Sequence, residues 1–153
     1  MLSYSTTTSI TARLAAIGLA LGMLFVQPAQ AQAAGDDAVF QQMGGKPGIQ
    51  KIVADFLPLL LADPRISETF KDADMERLGT LLAEQFCQLT GGPCKYSGKA
   101  MQEAHRDMQL NNAQFNALAE DLQFAMEKNG IANSAQNKLI AKLAPMQRAI
   151  VTR

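Results

Sequence analysis

Hydrophobic residues recur at three- and four-residue spacing in four stretches of the chain, and no stretch alternates as a β-strand does. The first stripe runs from Ile49 to Leu60 after a Gly44-Gly45 turn. It ends at Asp63-Pro64, because the residue before a proline is disfavoured in a helix. Pro58 lies inside the stripe and removes one backbone hydrogen bond, so we expect this helix to be kinked or shortened.

A second stripe spans residues 78–89 and stops at Gly91-Gly92-Pro93, and Asp72 or Asp74 is placed to cap its start. Gln85 interrupts this otherwise apolar stripe. Residues 94–110 show little periodicity, which indicates a loop with one short helix.

The remaining two stripes lie near the carboxyl end. We expect Asn112 to cap a helix whose apolar face runs from Phe115 to Met126, ending at Gly130. We expect Ser134 to cap a last helix that bends at Pro145. Each helix has one apolar face, so the pattern predicts an all-α domain in which four main helices pack on one another.

The first 31 residues differ from the rest, with one arginine, no acid and an apolar run over residues 14–26 that leads to Ala29-Gln30-Ala31. This order is typical of a secretory signal peptide, and a mitochondrial presequence or an uncleaved membrane anchor are the alternatives. Cleavage would leave one exported domain, residues 32–153, with net charge −1 and no stable membrane span. The predicted location is the bacterial periplasm.

The amino-acid composition of the chain excludes several classes of function and of metal site. With zero net charge, 48% hydrophobic and 18% charged residues, the chain is a poor candidate for a nucleic-acid partner or for disorder. One histidine and two cysteines exclude a multi-histidine or four-cysteine zinc site. In an oxidising compartment Cys87 and Cys94 can form a disulfide, although two unrelated buried thiols remain the alternative.

His105 is the single histidine. A lone histidine is commonly structural, but one neutral imidazole is enough to hold a haem iron and leave its opposite side open. The chain has no Cys-x-x-Cys-His motif, which excludes covalent haem attachment of the c type at the level of motif.

The order of several short motifs over residues 40–151 resembles the group I truncated haemoglobins, and is most similar to members with an export signal and a cysteine pair. These motifs are Met43-Gly44-Gly45-Lys46-Pro47, Asp55-Phe56, Leu61-Ala62-Asp63-Pro64-Arg65-Ile66, Phe70, Gly91-Gly92-Pro93-Cys94-Lys95-Tyr96-Ser97-Gly98, Met101, Glu103-Ala104-His105 and Leu143-Ala144-Pro145-Met146.

The resemblance implies a two-over-two helical sandwich around one haem b, with His105 as the proximal iron ligand. It implies further haem contacts at Phe56, Leu57, Phe70, Leu78, Leu82, Gln85, Phe86, Lys95, Tyr96, Lys99, Met101, Phe115 and Leu118. Lys95 and Lys99, with Arg106, flank the loop where haem propionates would need cations.

The distal side departs from the family pattern. Leu57 stands where most members have a tyrosine that hydrogen-bonds bound oxygen, and Leu78 and Leu82 replace frequent polar partners. Gln85 is then the nearest candidate donor. Without a second histidine we expect an open or water-filled sixth position, with Met75 or Met101 as less favoured ligands.

The cysteine pair is expected to brace the proximal side. Cys87 follows Leu82 by five residues, or about 140° around a helix, so it should point away from the pocket. A bridge to Cys94 would close a short loop over Gly91-Gly92 and anchor the segment that leads to His105.

The leading hypothesis is therefore a haem protein that binds diatomic gases (O₂, NO and CO) reversibly in an apolar distal pocket. A haem enzyme for NO detoxification or peroxidase-like turnover is an alternative. An exported electron-transfer protein with an unidentified electron donor, or a haem-free helical interaction module, are further alternatives.

Overall fold

A computed structural model describes residues 37–153, so the predicted export signal, residues 1–31, lies outside the described residues. Seven helices follow one another: α1 Ala38–Gln42, α2 Gly45–Ala62, α3 Met75–Leu89, α4 Met101–Ala104, α5 Asn112–Lys128, α6 Asn133–Leu143 and α7 Gln147–Ile150. Short 3₁₀ turns occupy Ser67–Phe70 and Ala144–Met146. The described range forms no β-sheet and pairs strands only at an isolated Leu110–Val151 bridge, so the all-α prediction is confirmed.

Helix α2 is longer than its proline suggests. It starts after Gly44, whose φ of 79° is left-handed backbone that glycine adopts without strain, and it continues through Pro58 to Ala62. Of the two expected effects of Pro58, a kink or a shortening, the shortening does not occur. Pro58 and Ala54 are both exposed, so water can hydrate the Ala54 carbonyl that Pro58 leaves without a donor. The predicted end before Pro64 is present, with Asp63 as C-cap.

The helix starts agree only partly with the predictions. Asp74 caps α3 by accepting the Arg77 backbone N–H at 3.0 Å. Asn111, and not Asn112, caps α5, because its side chain and that of Gln114 exchange hydrogen bonds with each other's backbone N–H. Ser134 caps nothing, since α6 already starts at Asn133.

The last predicted helix is divided in two. The bend expected at Pro145 is present as the 3₁₀ turn between α6 and α7, with Pro145 in its first turn.

Two layers of helices bury the core. Helix α2 packs on α3 and on α5, while α5 packs on α6. Lys128 of α5 pairs with Asp55 of α2, and Arg65, just after α2, pairs with Glu120 of α5, so the two helices run antiparallel. From Asp37 onward, no helix has both the length and the apolarity that crossing a bilayer requires.

Candidate functional site

A cavity of about 360 Å³ opens between α3, α5 and the carboxyl-terminal helices, and its walls are mainly apolar. The volume of the cavity and its apolar lining are typical of a small-molecule or cofactor site. The structure brings ten of the sequence-predicted residues to its walls: Phe70, Leu78, Leu82, Gln85, Phe86, Tyr96, Met101, His105, Phe115 and Leu118.

Four predicted residues do not line this cavity, and two of them come from α2. Phe56 is fully buried in the hydrophobic core. Leu57 lines a separate groove between α2 and α3, where its Cδ1 would lie only 3.0 Å from a Cβ added to Gly79. Leu57 therefore fills the space that the missing side chain of Gly79 leaves, and it lies outside the cavity that holds Leu78 and Leu82.

The other two residues are the lysines expected to serve propionates. Lys95 follows the disulfide cysteine Cys94 and lines the same α2–α3 groove. The ammonium of Lys99 lies 3.4 Å from the Glu103 carboxylate, on the surface. The described structure therefore places neither ammonium at the cavity wall, because the loop turns both side chains outward.

His105 follows the short helix α4 and lines the cavity half-buried. Its Nδ1 lies 2.8 Å from the main-chain oxygen of Met101, one turn earlier. A carbonyl can only accept a hydrogen bond, so Nδ1 carries the proton and donates it. With the proton on Nδ1, the neutral form of the ring has its lone pair on Nε2, and this is the form that ligates a metal.

The backbone after His105 reverses sharply. Asp107 and Gln109 adopt left-handed φ values of 68° and 51°, which are uncommon for residues other than glycine. Leu110 is thereby buried, and its carbonyl accepts the Thr152 N–H at 3.0 Å. The carboxyl side of the histidine is thus tied to the end of the chain.

Several polar groups of the cavity wall have partners within the protein. Thr69 donates its hydroxyl to the Ile66 carbonyl, and the Tyr96 hydroxyl donates to the Lys99 carbonyl at 3.1 Å. The Gln85 Nε2 lies 3.6 Å from the Met101 sulfur and 3.8 Å from the Met146 sulfur, which are weak acceptors.

The structure joins Cys87 to Cys94, with their Cα atoms 5.7 Å apart. Cys87 does not line the cavity, in agreement with its predicted helical direction. The turn between them needs a glycine at Gly92, because a Cβ there would lie 2.5 Å from the Phe40 ring and 2.7 Å from the Cys87 sulfur.

Several cavity residues were not assigned from the sequence. Met146 and Ile150 lie on the last predicted helix, but the sequence does not show which elements that helix packs against. Thr69 and Gln114 carried no sequence signal for a site.

A small all-α fold with an apolar cavity and one imidazole on the cavity wall is the arrangement expected of a haem-binding protein of the globin class. The family model described as bacterial-like globin matches residues 38–152. A group 1 truncated hemoglobin of Tetrahymena thermophila is 35% identical over 95 residues, covering 62% of this chain and 78% of that protein. The GlbN group 1 truncated hemoglobin of Synechocystis sp. is 30% identical over 115 residues, covering 72% of this chain and 90% of that protein.

The solved structures agree with the sequence relatives. The crystal structure of the Tetrahymena pyriformis truncated hemoglobin in its Fe(III) form superimposes with a TM-score of 0.72 at 28% identity, covering 75% of this chain and 98% of that one. The chain belongs to the bacterial-like globins, and within them to the group 1 truncated haemoglobins.

The cavity fits the cofactor of that family. Its apolar walls exclude water from a largely hydrophobic macrocycle, and His105 offers the one imidazole in the chain. The chain is therefore a protein of haem b that binds diatomic gases.

Proposed function

We propose that His105 binds the haem iron through Nε2 and that gases bind reversibly on the opposite side. The main support for this proposal is the 2.8 Å hydrogen bond from Nδ1 to the Met101 carbonyl. It leaves the lone pair of Nε2 available to a metal on the cavity wall. The haem, when bound, supplies an iron centre that takes diatomic ligands.

The distal wall is proposed to be apolar. Leu78 and Leu82 project from α3 into the cavity without any hydrogen-bond donor. A missing charge-assisted hydrogen bond removes roughly 1 to 3 kcal/mol from a ligand that gains negative charge, as O₂ does and CO does not. We expect the protein to discriminate weakly in favour of O₂.

The ligand position opposite His105 is proposed to be open or filled by water. His105 is the only histidine, and Met75 is not among the residues that line the cavity. Met101 belongs to the same short segment as His105, and its sulfur faces the Gln85 amide. These placements support a site in which neither a second histidine nor Met75 or Met101 occupies the sixth position.

Absorption spectra of the purified, dithionite-reduced protein test this function. We expect a five-coordinate high-spin spectrum that changes fully to a six-coordinate form on adding CO. O₂ release by stopped-flow should be fast relative to CO release. A low-spin six-coordinate spectrum of the reduced protein in the absence of gas would contradict the open site.

We also propose that the protein is exported to an oxidising compartment such as the periplasm. Residues 1–31 support this location, because a charged residue is followed by an apolar run and then by small residues, as in a secretory signal. The pairing of Cys87 with Cys94 also supports it, since cytosolic thiols are kept reduced. Fractionation of a Gram-negative host with intact-mass analysis tests it. We expect a chain shortened near Ala31 in the periplasmic fraction, and a full-length chain in the cytosol or membrane would contradict export.

A further inference from the structure

Three residue pairs connect the segment before α4 to the side of α3 that faces away from the cavity. The Glu84 Oε2 accepts the backbone N–H of Ser97 at 2.9 Å and its hydroxyl at 2.7 Å. The Gln88 Oε1 accepts the Tyr96 N–H at 2.6 Å, and the disulfide joins the same two elements. We call these contacts the latch.

The latch lies on one face of α3. Glu84, Cys87 and Gln88 are three and four residues apart, which places them on the same side of the helix. None of the three lines the cavity, whereas Leu78 and Leu82 of the same helix do. Helix α3 therefore carries the distal wall on one side and holds the latch on the other.

The latched segment is also closed on itself. The Tyr96 hydroxyl donates to the Lys99 carbonyl at 3.1 Å. The Tyr96 ring covers Gly98 so closely that a Cβ there would lie 2.2 Å from the phenolic oxygen. Met101, whose carbonyl accepts the His105 proton, follows Ser97 by only four positions. Little slack therefore separates the latch from the ring of His105.

Electrostatics strengthens the contact at Glu84. The Ser97 hydroxyl and backbone N–H lower the pKa of the Glu84 carboxyl, so this half-buried group is charged at neutral pH. A charged acceptor forms shorter and stronger hydrogen bonds than a neutral one.

We infer that Glu84 is a positioning residue for His105, holding the imidazole in register with the distal helix through Ser97. The inference rests on the proposed role of His105 as iron ligand. Glu84 itself touches neither the cavity nor the histidine; it acts through the backbone that leads to Met101.

The test compares Glu84→Ala, Glu84→Gln and Ser97→Ala in the haem-loaded protein. The readouts are the iron–histidine stretching vibration of the reduced protein and the rate of haem transfer to excess apomyoglobin. We expect Glu84→Ala to lower the vibrational frequency and to speed haem loss about tenfold, the size of one charge-assisted hydrogen bond.

Two variants serve as controls. Glu84→Gln keeps an acceptor oxygen, so it should stay within about threefold of the wild-type rate of haem loss. Glu76→Ala removes an exposed acid from the first turn of the same helix and should leave both readouts unchanged.

Amide hydrogen exchange separates local from global effects. Glu84→Ala should speed exchange over residues 96–105 and leave α2 and α5 protected. If that variant fails to fold, Ser97→Ala carries the test, since it removes one hydroxyl and keeps the backbone N–H; it should shift the vibration in the same direction by a smaller amount.

An unchanged vibration and unchanged haem loss in a folded Glu84→Ala protein would overturn the inference. His105→Gly distinguishes that result from a failure of the proposed function. If His105→Gly abolishes the iron–histidine vibration while Glu84→Ala changes neither the vibration nor haem loss, only the proposed role of Glu84 is wrong. If His105→Gly keeps the vibration, the ligand assignment falls first.

Discussion

The Nδ1 of His105 and the carbonyl oxygen of Met101 lie 2.8 Å apart, and this hydrogen bond sets which nitrogen of the ring is free. Helix α4, which supplies the carbonyl, has only four residues, Met101–Ala104. So short a helix has little stability of its own, and the direction of the ring depends on the segments that flank it.

A donor introduced on the distal wall should retain O₂. Leu82→Gln places an amide where the structure has an apolar side chain on the cavity, and we expect O₂ release to slow about tenfold or more, because a hydrogen bond to a charged acceptor is worth roughly 1.5 to 3 kcal/mol. CO release should change much less. Stopped-flow ligand replacement measures both rates.

Leu57→Tyr tests whether residue 57 has the distal position that the sequence resemblance implies. Leu57 lines the α2–α3 groove beside Gly79, so a tyrosine there should leave O₂ release within about threefold of wild type. A slowing as large as that expected for Leu82→Gln would show that residue 57 reaches the bound gas.

Removing the disulfide should destabilise the protein. Cys87→Ser with Cys94→Ser opens a loop of seven-residue separation, and the loop-closure model gives a loss of about 2 to 3 kcal/mol in the free energy of unfolding. Urea denaturation of both proteins measures it. Reducing the wild-type protein should cause the same loss of stability, whereas the same treatment should not change the stability of the double variant. Equal stability of all these forms would contradict a structural role for the disulfide.

Asp121 should make stability depend on pH. Its Oδ2 is buried without a donor among the described residues, and burial, with the neighbouring Asp63 charge, raises the pKa of this carboxyl. The charged form is therefore penalised in the folded state above the raised pKa, and the penalty disappears below the ordinary value.

Asp121→Asn checks this. We expect it to raise the free energy of unfolding at pH 7 by about 1 kcal/mol, the lower end of the cost of an unpaired buried polar group. The gain should vanish near pH 3. Asp72→Asn, at an exposed position, is the control and should leave the free energy of unfolding at pH 7 unchanged.

Asp55 should stabilise the folded protein at neutral pH, which is the opposite of the effect expected for Asp121. Hydrogen bonds from Lys128, Lys51 and Asn129 lower the pKa of its carboxyl below the ordinary 3.8. The stabilisation is complete at neutral pH and is lost as the pH falls below that ordinary value. Asp55→Asn should lower the thermal midpoint at pH 7 more than Glu68→Gln does at an exposed ion pair, and the difference should shrink in acid.

Local patterns account for most of the helices. The apolar stripes located α2, α3 and α5 because burial of one face requires that spacing. The cap of α5 was expected one residue too late, at Asn112, although Asn111 with Gln114 three residues later forms the capping-box pattern in the sequence.

Positions that depend on distant parts of the chain were not readable. Leu57 could be placed only once the close approach of α2 to Gly79 was known. Likewise, Glu84 and Ser97 are thirteen residues apart and meet because the loop folds back along α3. The left-handed backbone at Asp107 and Gln109 had no glycine to signal it.

The most direct measurement of the central claim is the spectrum of reduced His105→Gly protein, with and without added imidazole, before and after CO. We predict that the variant loses the wild-type five-coordinate spectrum and holds haem weakly, and that free imidazole restores both properties by occupying the vacated position. A variant that retains the wild-type spectrum, haem affinity and CO response without imidazole would contradict His105 as the iron ligand.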